Sequence, residues 1–331
     1  MENKTMNKRV QGVLGVSSIR ANFNAAFDGY PKMMGDGTII ASDKAFKYPI
    51  KKMLEEEGHP VLYIKTMTIK ERTEDKIKRL KLVPRSLDES YEHLYGLKEG
   101  TLAKYKDIAP IVKNLYQAAD VKQFGATFAV AKINESITGA VQIGQGVNIY
   151  EDSQSFVQDI LSPFRSDSSK KDKDGNDKTQ EKNNSTLGTK VLSDEAHYIF
   201  PFTINPRTYR EDIKLGLTEG YTEEDYQLFK RTALTAVTAY DSNSKKGCEN
   251  EFGLFIETTN DLIMDNLDER YISFVKGDKD TKNVIEFKDP VLLKKTDRIQ
   301  KIEIYYNPFT TELKGFPESA EYYDIRTMTR I

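Results

Sequence analysis

Residues 10–19, VQGVLGVSSI, are rich in β-branched and aliphatic side chains, and they give way to RANFNAAFDGYPKMMGDG, a polar stretch holding three glycines. The pair reads as a strand running into a long loop. From Ser42, SDKAFKYPIKKMLEEEG reads as a helix, with Ser42 as its N-cap and Gly58 as its stop. Pro49 lacks a backbone donor and is expected to kink this helix or delay its start.

Working outward, HPVLYIKTMTIK at 59–70 has strand composition, and residues 71–120 carry charged patterns read as helical around Pro84 and Pro110. Two strand candidates follow, FGATFAVAKI at 124–133 and ITGAVQIGQGVNIYE at 137–151, and they read as a hairpin or a strand pair. Between Ser162 and Leu187 almost no apolar residue remains to offset the entropy of ordering the chain, so the segment is expected to be a mobile loop.

Strand character resumes at AHYIFPFTIN (196–205). In 223–240, Tyr226, Phe229, Ala233, Val237 and Tyr240 recur at helical spacing, and the strand-like EFGLFIET follows. This order is compatible with an interrupted β-α-β-β-α-β, ferredoxin-like unit, hence an α+β fold. Further strands at 270–276, 284–287 and 301–306 are expected to extend its sheet or form an appendage.

Lys and Arg number 49 against 51 Asp and Glu, a formal charge of -2, which argues against indiscriminate binding of nucleic acid. Any basic surface must be local. The single cysteine, Cys248, rules out an intrachain disulfide and a four-thiolate zinc site and fits a reducing compartment. No window approaches the roughly 18 apolar residues of a spanning helix, so a cytoplasmic protein without a membrane partner is expected.

The familiar catalytic patterns are missing: no GxxxxGK(S/T) phosphate loop, no GxSxG elbow, no HExxH zinc pair. His59, His93 and His197 fall in different elements, which gives no ground to group them as metal ligands or acid-base partners. Cys248, beside lysines, reads as a small residue in a turn rather than a nucleophile. Asp28 and Asp36 share the long loop, where paired acids can bind Mg²⁺. Lys44, Lys47 and Lys51 at i, i+3 and i+7 put three ammonium groups on one helical face, near the loop carrying Arg20 and Lys32. Phosphates can lie across such a face.

Three segments together resemble the Cas-seven family, the repeated backbone subunit of the type I CRISPR surveillance complex Cascade. One is the first strand ending in Arg20-Ala-Asn22-Phe-Asn24, with its loop and IIASDKAFKYPIKKML. The second is ITGAVQIGQGVNIYE leading into the polar insertion. The third is STLGTKVLSDEAHYIFPFTIN.

The resemblance implies a hand-shaped subunit with an RNA-recognition-like palm (1–70, 124–150 and 193–331), helical fingers (71–123) and a protruding thumb loop (151–192) in which Phe164 and Leu187 fall. It further implies contacts to guide RNA from Arg20, Asn22, Asn24, Lys32, Ser42, Lys44, Lys47, Lys51 and Gln142, without cofactor or catalysis. Copies would stack helically along the guide, beside other Cascade subunits, leaving bases free to pair with a target DNA strand in antiviral defence. The subtype it points to is I-B. Phosphate contacts without base reading suit a subunit that serves every guide.

Two other functions compete. Backbone subunits of type III complexes resemble this family and cut target RNA with a loop aspartate, for which Asp28 and Asp36 are the candidates. A protein scaffold without nucleic acid is the third.

Overall fold

The computed structural model describes residues 5–74, 77–130, 132–162, 186–294 and 296–331. Its fold is mixed α/β, dominated by a ten-stranded sheet. The path across that sheet runs Thr329–Arg330, Glu321–Asp324, Ile299–Tyr306, Cys248–Thr258, Arg9–Ala21, Thr186–Ile204, Gly146–Asn148 and Ile40–Ala41. Val141–Ile143 and Ser155–Ser162 also pair with the long strand Thr186–Ile204, at opposite ends of it.

The first strand, Arg9–Ala21, is central and antiparallel to both neighbours. It is apolar on both sides because both sides are covered, and its side chains alternate between two cores. Val10, Leu14 and Val16 join a core with Phe46 and Ile50 of the helix Asp43–Glu56 and Phe229, Ala233 and Val237 of the helix Glu223–Ala239. Val13 joins a second core with Leu254 and Ile256 and with Phe274 and Ile285 of a separate three-stranded sheet, Ile272–Val275, Asn283–Phe287 and Thr311–Lys314.

Local chemistry explains the two long helices. Ser42 Oγ accepts the Ala45 N–H at 3.2 Å and caps the first. Thr222 and Asp225 exchange side chain and backbone bonds as a capping box on the second, whose first turn carries three acids against the helix dipole. Pro49 neither delays the start of the first helix nor ends it, and its ring is buried in the helix interior face.

A third core holds Leu62, Tyr91, Leu102, Ile111, Leu115, Val121 and Phe128, built on the helices Leu87–Leu94, Ala109–Gln117 and Ala119–Phe124. Part of the region read as helical is not. Met67–Glu74 and Ile77–Pro84 form a two-stranded hairpin. Its Lys, Glu and Arg favour helix on propensity, but Leu80 and Leu82 fall at alternate positions, the strand period.

The strand expected at 137–151 is broken as well. Ile133–Thr138 pairs with Gly125–Val130, while Val141–Ile143 and Gly146–Asn148 join the main sheet, with Gly139 and Gly144 at the breaks. The expected strands at 270–276 and 284–287 belong to the separate sheet, and 301–306 extends the main one. Most of the polar insertion, including Phe164, lies outside the described residues.

Candidate nucleic-acid interface

The first strand ends in a tightly pinned junction. The Ile19 N–H bonds Gly247 O at 2.8 Å and the Asn22 N–H bonds Ser244 O at 3.0 Å. Gly247 is required here: its φ is +105° and a Cβ would lie 2.3 Å from Ile19 O. Between these two bonds Arg20 is held at φ +51°, a conformation that costs a side-chain-bearing residue about 1–2 kcal/mol, with its side chain exposed.

The loop that follows is held by its own polar groups. Buried Asn22 donates to Gly29 O at 2.9 Å and to Val191 O at 3.2 Å, tying loop to long strand. Asn24 Oδ1 accepts the Ser42 N–H at 2.8 Å, and Asn24 O accepts the Lys32 N–H at 2.9 Å. Asp28 and Asp36 each accept the backbone N–H two residues on, from Tyr30 and Thr38, both at 3.0 Å. The Thr38 bonds hold the Asp36 carboxyl below its usual range. These acids therefore serve as turn formers. Among the described residues no group of three His, Cys, Asp or Glu side chains is arranged to hold a metal ion.

The residues expected to touch RNA thus divide. Asn22, Asn24 and Ser42 build the loop, and Arg20, Lys32 and Lys44 carry exposed cationic heads within a residue or one backbone bond of it. None of those three has a carboxylate partner among the described residues. Lys47 and Lys51 are turned inward. Lys47 Nζ pairs with Asp43 at 2.9 Å and lies 5.2 Å from the Phe124 ring centre. Lys51 Nζ bonds Tyr63 O and pairs with fully buried Asp120, each at 3.3 Å. The helix face bearing three lysines therefore offers one ammonium group to solvent.

Gln142 is apart from this loop, on the short strand Val141–Ile143, bonded to Gly139 O at 2.8 Å. Leu187 pairs through its backbone with Leu161 in the hairpin formed by Ser155–Ser162 and the start of the long strand.

Two lysines join the junction that the sequence did not single out. Lys245 Nζ donates to Asn22 O at 3.1 Å and to Phe23 O, and lies 5.0 Å from the Phe23 ring centre; burial pushes its pKa down. Lys190 Nζ bonds Asn243 O and Oδ1, both at 3.0 Å. Only the run Ser244-Lys245-Lys246-Gly247 hinted at this, because its proximity to residue 20 is made by strand pairing across the sheet. Phe27 is fully exposed on the same loop, and Tyr30 is partly so.

Cys248 opens its strand, buried, 3.5 Å from Ser18 Oγ, with burial pushing its thiol up. His59 lies 3.9 Å from Glu57, His93 is exposed, and His197 is buried among carboxylates. No helix among the described residues is long and apolar enough to cross a membrane.

A hydrogen-bonded loop with cations that lack a carboxylate partner among the described residues, and with an exposed aromatic ring, is set on a large antiparallel-based sheet, an arrangement suited to binding. The same fold occurs in a chain of a structure titled "CRISPR RNA-guided surveillance complex, pre-nicking", at a TM-score of 0.50 and 13% identity over 97% of this chain and 98% of that one. The profile of the family described as CRISPR-associated protein Cas7 matches residues 8–293, and the chain belongs to that family. No curated protein matches it in sequence.

Proposed function

We propose that the chain is a guide-RNA-binding backbone subunit of a type I CRISPR surveillance complex, of subtype I-B. It works in the cytoplasm without catalysing a reaction, and its copies stack along the guide beside other subunits so that a target DNA strand can pair with the exposed bases. Family membership sets the frame. The observation that carries the reading is the loop at the end of the first strand, where Arg20, Lys32 and Lys44 keep exposed charges while Asn22 Nδ2 and Asn24 Oδ1 are spent on holding the backbone.

The palm reading is supported by the order Cys248–Thr258, Arg9–Ala21, Thr186–Ile204, then Val141–Ile143 and Gly146–Asn148, with one helix after the first strand and one after the long strand. That is the connectivity of a ferredoxin-like unit. Cations fixed by backbone geometry grip sugar-phosphate irrespective of base, and Phe27 adds a face on which a base can stack. The turn-forming roles of Asp28 and Asp36 support a non-catalytic subunit.

The test is to purify the chain with its bound RNA, sequence that RNA, and titrate guide RNAs of unrelated sequence. Enrichment of guide RNA, with equal losses for every guide on Arg20→Ala and Lys32→Ala, is the expected result. RNA-free protein, guide-specific losses, or Mg²⁺-dependent cleavage abolished by Asp28→Ala would overturn the reading.

A further inference from the structure

The second core lies between two sheets that end at different places. On one side the main sheet runs outward through Cys248–Thr258, Ile299–Tyr306, Glu321–Asp324 and Thr329–Arg330, and on the other the small sheet stops at its third strand, Thr311–Lys314. Where the small sheet stops, a groove of about 600 Å³ opens, lined by Tyr306, Leu313, Phe316, Tyr322 and Ile331, with Lys282 beside them. All of these but Lys282 follow residue 293, so the family match does not account for the groove.

Thr311–Lys314 pairs on one side only, in parallel with Asn283–Phe287. The Asn283 N–H bonds Thr310 O at 2.9 Å, so the alternation of the strand turns the Leu313 N–H and C=O away from that partner, toward the open edge. The side chains alternate too. Thr311 is buried and Leu313 packs on the core, whereas Glu312 and Lys314 are exposed and have no ion-pair partner among the described residues. Unpaired backbone groups on one wall and aromatic rings that no strand covers on the other are the two halves of a strand-addition site.

We infer that the groove takes an extended segment of another protein, added as a fourth strand to the small sheet beside Thr311–Lys314. What the segment meets sets its chemistry. Its backbone pairs with Leu313, and apolar side chains at every second position cover Tyr306, Tyr322 and Ile331. The side chains between them stand beside Glu312 and Lys314, where a cation and an anion respectively are favoured. The groove therefore selects an alternating segment in which a lysine or arginine lies two positions from an aspartate or glutamate. Nucleic acid fits poorly, because Lys282 Nζ is already held by Pro308 O at 2.7 Å and Glu312 repels phosphate.

This inference is independent of the guide-binding reading. Two labelled hexapeptides serve as probes, each with valine at its first, third and fifth positions and threonine at its sixth. One carries lysine second and glutamate fourth, and the other the reverse. Binding to the full chain is followed by fluorescence anisotropy. The chain should bind one order about threefold more tightly than the other, and E312K/K314E should invert that preference. Methylating one alternate set of peptide amides should weaken binding about tenfold, and methylating the other set should not. Ile331→Glu should also weaken it about tenfold. Melting temperature and guide-RNA affinity should hold in these variants, because all three substituted residues are exposed. No saturable binding of either peptide, or a preference that E312K/K314E leaves in place, overturns the inference. So does equal tolerance of both methylated peptides, which marks apolar adhesion without strand pairing. A dimer of the RNA-free chain in sedimentation velocity that Ile331→Glu abolishes overturns it in favour of a second copy in the groove, and a fall in guide-RNA affinity in that variant overturns it in favour of an RNA contact.

Discussion

The His197 ring lies flat on Phe274, with centroids 3.7 Å apart and 21° between planes. The contact clamps the long strand Thr186–Ile204 to the separate three-stranded sheet. Both ring nitrogens are engaged, Nδ1 with Glu251 Oε2 at 2.8 Å and Nε2 with Glu195 Oε1 at 3.0 Å, and Lys276 also bonds Glu195. Glu251 gets there through a bulge: pairing slips between Gly15 and Val16, which re-aims its side chain, and a Cβ on Gly15 would sit 3.4 Å from Glu251 Cγ.

Two carboxylates on one imidazole require both N–H groups, so the ring is an imidazolium. Burial opposes that charge, but Glu251 and Glu195 overcome it and push the pKa to about 9, while the His197 bond lowers Glu195 to about 2. The histidine's contribution is fully present below 6.5, its unfolded value, and is lost as pH rises through about 9. That of Glu195 is present above 4.5 and is lost as pH falls through about 2. The urea midpoint should therefore fall progressively between about pH 6.5 and 9. His197→Phe should cost about 3 kcal/mol at pH 7 and flatten that drop, because it strands two carboxylates.

Lys51 should prove structural before anything else. Its partner Asp120 also accepts the Leu62 and Tyr63 N–H groups, both at 2.9 Å, and joins the third core to the first helix. Lys51→Met should destabilise by about 1–3 kcal/mol in urea titrations. Lys44→Ala, on the same helix but exposed, should stay within about 0.5 kcal/mol while weakening RNA binding.

Arg20→Gly should separate stability from binding. Glycine adopts φ +51° freely, so the variant should melt at or above the native temperature. RNA affinity should nevertheless fall equally for all guides, and the salt slope should shrink by about one. A parallel loss of both would place Arg20 in the fold rather than on the RNA.

Lys245→Met keeps the apolar stem against Phe23 but removes the donor to Asn22 O and Phe23 O. Amide hydrogen exchange should quicken across residues 22–32 with little change elsewhere. RNA affinity should drop several-fold, since the cations depend on that loop's rigidity.

Much of this was legible in the chain. The first strand, the capped helix at Ser42, the helix at 223 and the strand before residue 258 follow from period and capping chemistry, which are local. Residues 67–70 of the hairpin read as strand, but 71–84 did not, because charged residues with helix propensity mask an alternating pattern. Asn22 and Asn24 could be named from the sequence, but their work as loop anchors could not, because their partners Val191 and Ser42 are supplied by the fold. The inward turn of Lys51 depends on Asp120, nearly seventy positions away, and no spacing rule reaches that far.

The place of Arg9–Ala21 at the middle of the sheet also bears on how the chain is made. Its neighbours are supplied by residues 193–204 and 248–258, so this strand leaves the ribosome well before the segments it pairs with. At about 5–20 residues per second, roughly 10–50 s pass before the second neighbour emerges. During that delay Val10, Val13, Leu14 and Val16 are uncovered, and a nascent chain halted before residue 248 has no stable half to fall back on.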